Sequence, residues 1–215
     1  MNIINEALKI RNELSLSKDS SINPIDLGLP IIPPFNGGGK IKLIIVGQDP
    51  TIKVSINRNR IVTTLNLNKR GSLYSYVNGI CQGLKINIDN VYATNLFKYF
   101  YTSPPAKTIG VLESHLVLNL ELLRKEISAY NNAIIISLGE PVLKLLIGPE
   151  AKVRGYWGYD SLKKSGFKQF NFSSAKKNIL GYDFYPFPHQ PSISKDFYKN
   201  TFNEYIQFIN QNSHK

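Results

Sequence analysis

Cysteine is nearly absent: Cys81 is the only one in 215 residues. A single thiol excludes an internal disulfide framework and any zinc site made of cysteines alone. Long apolar runs are also missing, since none approaches the roughly 18–20 residues that span a bilayer. The opening MNIINEALKIRNELSL lacks the basic start, apolar stretch and small-residue cleavage site of a secretory signal, so a cytoplasmic location is expected. There is no internal repeat, no low-complexity tract and no linker long enough to separate domains. One domain spanning 1–215 is the expectation, and a 42% hydrophobic fraction gives it ample core. No Gly-rich phosphate cradle of the Walker type occurs, which counts against an unrelated enzyme that grips a phosphorylated substrate that way.

Acids are scarce. Fifteen Asp and Glu face 26 Lys and Arg, a formal charge of +11. Such an excess suits a polyanionic partner, or merely solubility. Its distribution is uneven. Lys53, Arg58, Arg60, Lys69 and Arg70 lie between Thr51 and Arg70 without one acid. Between Ala151 and Asn178 lie Lys152, Arg154, Lys163, Lys164, Lys168, Lys176 and Lys177 against Asp160 alone. That second stretch also holds Tyr156, Trp157, Tyr159, Phe167, Phe170 and Phe172. Cations interleaved with aromatics fit a nucleic-acid surface, and equally a solvated loop whose aromatics belong to the core.

Ile3, Ala7, Ile10 and Leu14 repeat at helical spacing, predicting a helix over 2–16. A loop rich in Pro and Gly follows, through Pro34 and Gly37–Gly39. Ile41–Val46, Val91–Thr94, Ala133–Ser137 and Leu180–Tyr185 read as short strands. Between them, a helix is expected from Ser72 to about Lys85. Ile109, Leu112, Leu116, Leu120, Leu123 and Ile127 mark a long amphipathic helix. Gly139–Leu146 reads as a helix with Pro141 in its first turn. Tyr198, Phe202, Tyr205 and Ile209 define a last one. Short apolar strands alternating with helices imply a parallel sheet covered on both faces. Ligands then bind beyond the carboxyl ends of the strands.

Unusual polar residues sit at three such ends. Gly47-Gln48-Asp49-Pro50 displays Asp49 where it could act as a base or orient a water, or simply close an Asx turn. Thr94-Asn95 offers an amide with donors and an acceptor suited to a base edge, or to its own backbone. Pro188-His189-Gln190-Pro191-Ser192-Ile193-Ser194 carries a His able to stabilise a leaving group. Its bland reading is an exposed loop in which Ser194 caps the last helix.

Taken together these segments resemble the uracil-DNA glycosylase superfamily. Gly47-Gln48-Asp49-Pro50 is similar to the start of the GQDPYH water-activating motif of the family 1 enzymes. Asn95 falls where a strand-end Asn reads the uracil edge. His189 through Ser194 matches the HPSPLS loop in length, leading His and closing Ser. Gly71-Ser72-Leu73 looks like the Ser-bearing phosphate-binding loop. The resemblance implies a three-layer α/β/α domain around a mostly parallel, four-stranded sheet. It implies hydrolysis of an N-glycosidic bond in uracil-containing DNA, single- or double-stranded, with no metal, no cofactor and no membrane.

By this resemblance Asp49 orients the water and His189 supports the departing base. Asn95 and the backbone around Gln48 select the base edge, Ser72, Ser192 and Ser194 hold phosphates, and Ile193 wedges into the vacated stack. Thr51 and Ile52 replace the family's Tyr-His pair, whose Tyr blocks the methyl group of thymine. No Phe lies between Thr51 and Ser72 to stack on the base, and Leu65 or Leu67 occupies that neighbourhood. A slower, less selective enzyme that admits 5-substituted uracils is therefore expected. The rival is a glycosylase-like module that binds DNA or protein without cutting.

Overall fold

A computed structural model describes residues 2–17, 24–105 and 109–213. The first helix, α1 (Ile3–Ser15), starts where the Asn2 side chain accepts the Asn5 N–H at 3.2 Å. Its Ala7 is fully buried, with Ile3, Ile10 and Leu14 packed on the core beside it. Three central strands follow the β-branched runs closely: β2 (Leu43–Gly47), β3 (Val91–Asn95) and β4 (Ile134–Leu138). β2 lies between the other two and pairs parallel with both. Strands enclosed on both faces need apolar side chains throughout, which is why these runs do not alternate.

Two strands depart from expectation. Among the described residues the sheet has five strands in the order β1-β3-β2-β4-β5, not four. The additional strand, β1 (Phe35–Asn36), pairs antiparallel with β3 at the edge, inside the Pro- and Gly-rich segment read as loop. The strand expected at Leu180–Tyr185 is β5 (Tyr185–Phe187), parallel to β4. Leu180 is buried, but it sits in a turn that Asn178 organises by accepting the Gly181 N–H and donating to the Tyr182 carbonyl. Only past that turn is the backbone free to pair. Pro186 is tolerated because β5 is an edge strand.

The helices α2 (Ser72–Gly83), α3 (Ile109–Ser128), α4 (Glu140–Ile147) and α7 (Asp196–Asn212) flank the sheet. α3 contacts both α1 and α4, while α2 contacts α7, which groups the helices in two layers. Leu112, Leu116, Leu120, Leu123 and Ile127 form the buried stripe of α3. Two short helices, α5 (Val153–Tyr156) and α6 (Tyr159–Ser165), occupy the basic aromatic stretch. Among the described residues no helix is long and apolar enough to cross a membrane.

Candidate active site

β2 and β3 run side by side with Gly47 opposite Asn95. Both chains leave the sheet together, because the Leu96 and Phe97 N–H groups donate to the Gly47 and Gln48 carbonyls at 2.8 Å. A side chain at position 47 is impossible in this arrangement, since its Cβ would collide with Asn95 Oδ1. Glycine is thus what lets the Asn95 amide lie against the end of β2. Asn95 is 2% exposed, and its Oδ1 has no hydrogen-bond partner among the described residues. Gln48 Nε2 is likewise buried and unpartnered. Buried polar atoms left unpaired are costly, and these two at adjoining strand ends are open to hydrogen bonds with a ligand.

Behind Asn95 sits a closed ionic network. Lys98 Nζ donates to the Asn95 carbonyl at 2.9 Å and pairs with Glu126 of α3 at 2.6 Å. The Tyr92 and Thr94 hydroxyls donate to the same carboxylate at 2.7 and 3.0 Å. Neither charge of the pair reaches solvent.

Asp49 does close an Asx turn: its Oδ1 accepts the Thr51 N–H at 2.7 Å. It also lines the cavity. Burial pushes its pKa from 3.8 up to about 6, against the opposing pull of the Thr51 hydrogen bonds and of Arg58. Thr51 has a second task, accepting the Tyr101 N–H at 2.8 Å through its hydroxyl.

His189 follows β5 after Pro188, whose carbonyl accepts the Tyr76 hydroxyl at 3.0 Å. Partial desolvation lowers the imidazole pKa below 6.5, so the ring is neutral at pH 7. The facing wall is Gly139, held at φ +89 where a Cβ would be strained and would lie 3.6 Å from His189 Cβ.

Asp49, Thr51, Leu65, Leu73, Asn95 and His189 face two adjoining lobes of one cavity. The first, about 380 Å³, is completed by Gln48, Pro104, Pro105, Leu138 and Pro141 with the two glycines. The second, about 410 Å³, is completed by Pro50, Ile52, Asn57, Arg60, Ile61 and Asn66. Of the two leucines near the missing Phe, Leu65 enters the cavity, while Leu67 is buried in the core. Leu65 and Asn66 both take left-handed backbone, φ 56 and 51, a strained choice for leucine. No pattern in the sequence signals that turn, nor the apolar wall of Leu73, Leu138 and Pro141.

Four expected residues do not line the cavity. Ser72 is exposed at the first position of α2. Ser192 ends the short helical turn Gln190–Ser192 and its N–H donates to the His189 carbonyl. Ile193 is half-buried, packed on the core. Ser194 does not cap α7: the capping residue is Lys195, and the Ser194 hydroxyl donates to the Pro191 carbonyl at 3.1 Å. Among the described residues no group of three or more His, Cys, Asp or Glu could hold a metal ion.

A carboxylate that titrates near pH 6 and a neutral imidazole share one cavity with a buried amide. That set can orient a water, steady an anionic leaving group and read a hydrogen-bonding edge. The model of the uracil DNA glycosylase superfamily matches residues 34–211, a span that contains every residue of the cavity. No curated protein matches the chain.

Proposed function

Since this chain belongs to the uracil DNA glycosylase superfamily, we propose that it excises uracil, or a related damaged base, from DNA by hydrolysing the N-glycosidic bond. The convergence of Asp49, Asn95 and His189 on one cavity carries this reading.

The target nucleotide leaves the stack, at a cost of a few kcal/mol, and its base enters the first lobe. The Asn95 amide and the backbone at Gln48 meet the base edge. The bond from C1′ to the base nitrogen breaks with its electron pair going to the base, leaving an oxocarbenium-like sugar. His189, whose neutral ring keeps one N–H to donate, steadies the departing base anion. Ionised Asp49 orients the water that adds to C1′ and takes up the proton that the water releases. The products are the free base, after it gains a proton, and an abasic site. Ser72, Ser192 and Ser194, outside the cavity, hold phosphates, and Ile193 fills some of the vacated stack.

Strand scission of a uracil-containing oligonucleotide by alkali, after incubation with the protein, is the expected result. A second reading, a module that binds without cutting, draws on Thr51 and Leu65, which leave the cavity without an aromatic wall at either position. An intact strand after long incubation favours that module.

A further inference from the structure

The basic aromatic stretch between Ala151 and Asn178 divides cleanly in the fold. Trp157 is fully buried, stacked 4.6 Å from Tyr205 with its indole N–H donating to the Pro186 carbonyl. Phe170 and Phe172 pack against the core beside it. Those three aromatics are structural. Tyr156 packs on the core too, and Val153 and Ser173 are buried, whereas Phe167 is 79% exposed, Leu162 is 37% exposed, and Lys152, Lys163 and Lys164 are exposed with them.

Tyr159 anchors this face. Arg154 and Lys163 lie over its ring at 5.2 and 4.7 Å from the centroid. The same ring meets Phe197 edge-on at 4.9 Å. Phe197 lies in the first turn of α7, three residues after Ser194, so the face continues directly from the loop that carries His189.

Some of this has a local cause. Lys163 and Lys164 stand in the last turn of α6, where cations suit the helix dipole. The dipole does not account for Phe167. A large ring left in water just past a helix end, among cations, gains nothing from the fold itself. Among the described residues, two cations of the stretch do meet acids: Arg154 lies 3.6 Å from Asp160, and Lys168 pairs with Glu204 at 2.5 Å. Lys152, Lys163 and Lys164 make no ion pair among the described residues.

We infer that α6 and the turn through Phe167 form a second DNA contact, a platform for the single strand that continues from the flipped nucleotide. The lysines meet its phosphates and Phe167 stacks on an unpaired base. An acidic protein would satisfy the lysines without needing an exposed ring. Duplex DNA would offer phosphates but no free base face. A single strand supplies both, and aromatic stacking on it is tolerant of sequence. The inference rests on the glycosylase reading for its partner, and its test is separate.

Anisotropy of a labelled, uracil-free oligothymidine strand and of its duplex reads the platform without any chemistry. Phe167→Ala is expected to weaken single-strand binding roughly 5- to 150-fold, the effect of about 1–3 kcal/mol for one stacked base, and to change duplex binding far less. Replacing Lys163 and Lys164 with Gln is expected to flatten the log–log salt slope on the single strand by about 1.4, the effect of two phosphate contacts. Wild-type affinity in Phe167→Ala overturns the platform, as does equal loss on single strand and duplex. An unchanged slope overturns the role of the lysines. Uracil excision by the wild type is scored in parallel: its absence sinks the glycosylase reading and leaves the binding result standing.

Discussion

Burying the Asp49 carboxyl raises its pKa from 3.8 to about 6, so the folded chain holds that proton more tightly than the unfolded chain does. The sign follows from linkage: stability falls as pH climbs between those two values, and the full penalty, about 3 kcal/mol, applies above pH 6. The proposed chemistry needs the ionised form, so excision should rise as pH passes through 6. Asp49→Asn keeps an oxygen for the Thr51 N–H and discards the charge. It is expected to raise the melting temperature at pH 7, by calorimetry, while single-turnover excision drops by orders of magnitude. Cleavage equal to wild type would sink the mechanism. His189→Ala should lose as much excision, with DNA affinity changed far less. Thr51 is subtler. Sequence alone suggests that Thr51→Tyr should sharpen the preference for uracil over 5-hydroxymethyluracil and thymine. The fold adds that the Tyr101 N–H then loses its acceptor, a cost of about 1–3 kcal/mol. The variant should therefore be more selective and less stable, by matched oligonucleotides and urea melts. Strict uracil specificity in the wild type would mean that another residue already closes the pocket.

β2, β3 and β4 were legible as sequence because strands buried on both faces must be continuously apolar, and α3 because its stripe repeats at helical spacing. β1 was not, since two residues between Pro34 and Gly37 become a strand only through a distant partner, β3. β5 was misplaced because Leu180 is as apolar as a strand residue while Asn178 holds its backbone in a turn. α5 and α6 were hidden by Gly155, Gly158 and Gly166, which interrupt any periodicity. In the site, the polar residues at strand ends could be read, whereas Leu65 reaches the cavity through left-handed backbone that no leucine advertises. Lys98 was indistinguishable from a surface cation. Its pairing with Glu126 pins the exit of β3 and with it Asn95. Lys98→Met should strand a buried carboxylate and cost about 3–5 kcal/mol in urea unfolding, with the double replacement Lys98→Met and Glu126→Gln distinctly milder. A harmless Lys98→Met would show that the pair does not hold this strand end.

A net charge of +11 says nothing of where the charge acts, and the fold sorts it. Arg58, one of the five cations counted between Thr51 and Arg70, is 4% exposed and donates to the Ile52, Tyr101 and Thr102 carbonyls. It buttresses the segment after Asp49 and cannot meet a phosphate. Lys98 is likewise enclosed, and Lys168 is met by Glu204. Arg60 differs: it is exposed at the rim of the second lobe and makes no ion pair among the described residues. Counterion release depends on the cations that reach phosphates and not on the total, with a log–log salt slope near −0.9 per contact on duplex DNA. Arg60→Gln is therefore expected to flatten the slope on a uracil-containing duplex by about 0.9 if Arg60 meets one phosphate beside the flipped nucleotide. Lys168→Gln, removing the same formal charge from a paired site, should leave the slope nearly unchanged. Salt titrations of both variants by anisotropy decide it. Equal flattening would mean that the summed field of the molecule sets affinity, and that the cavity rim holds no privileged contact.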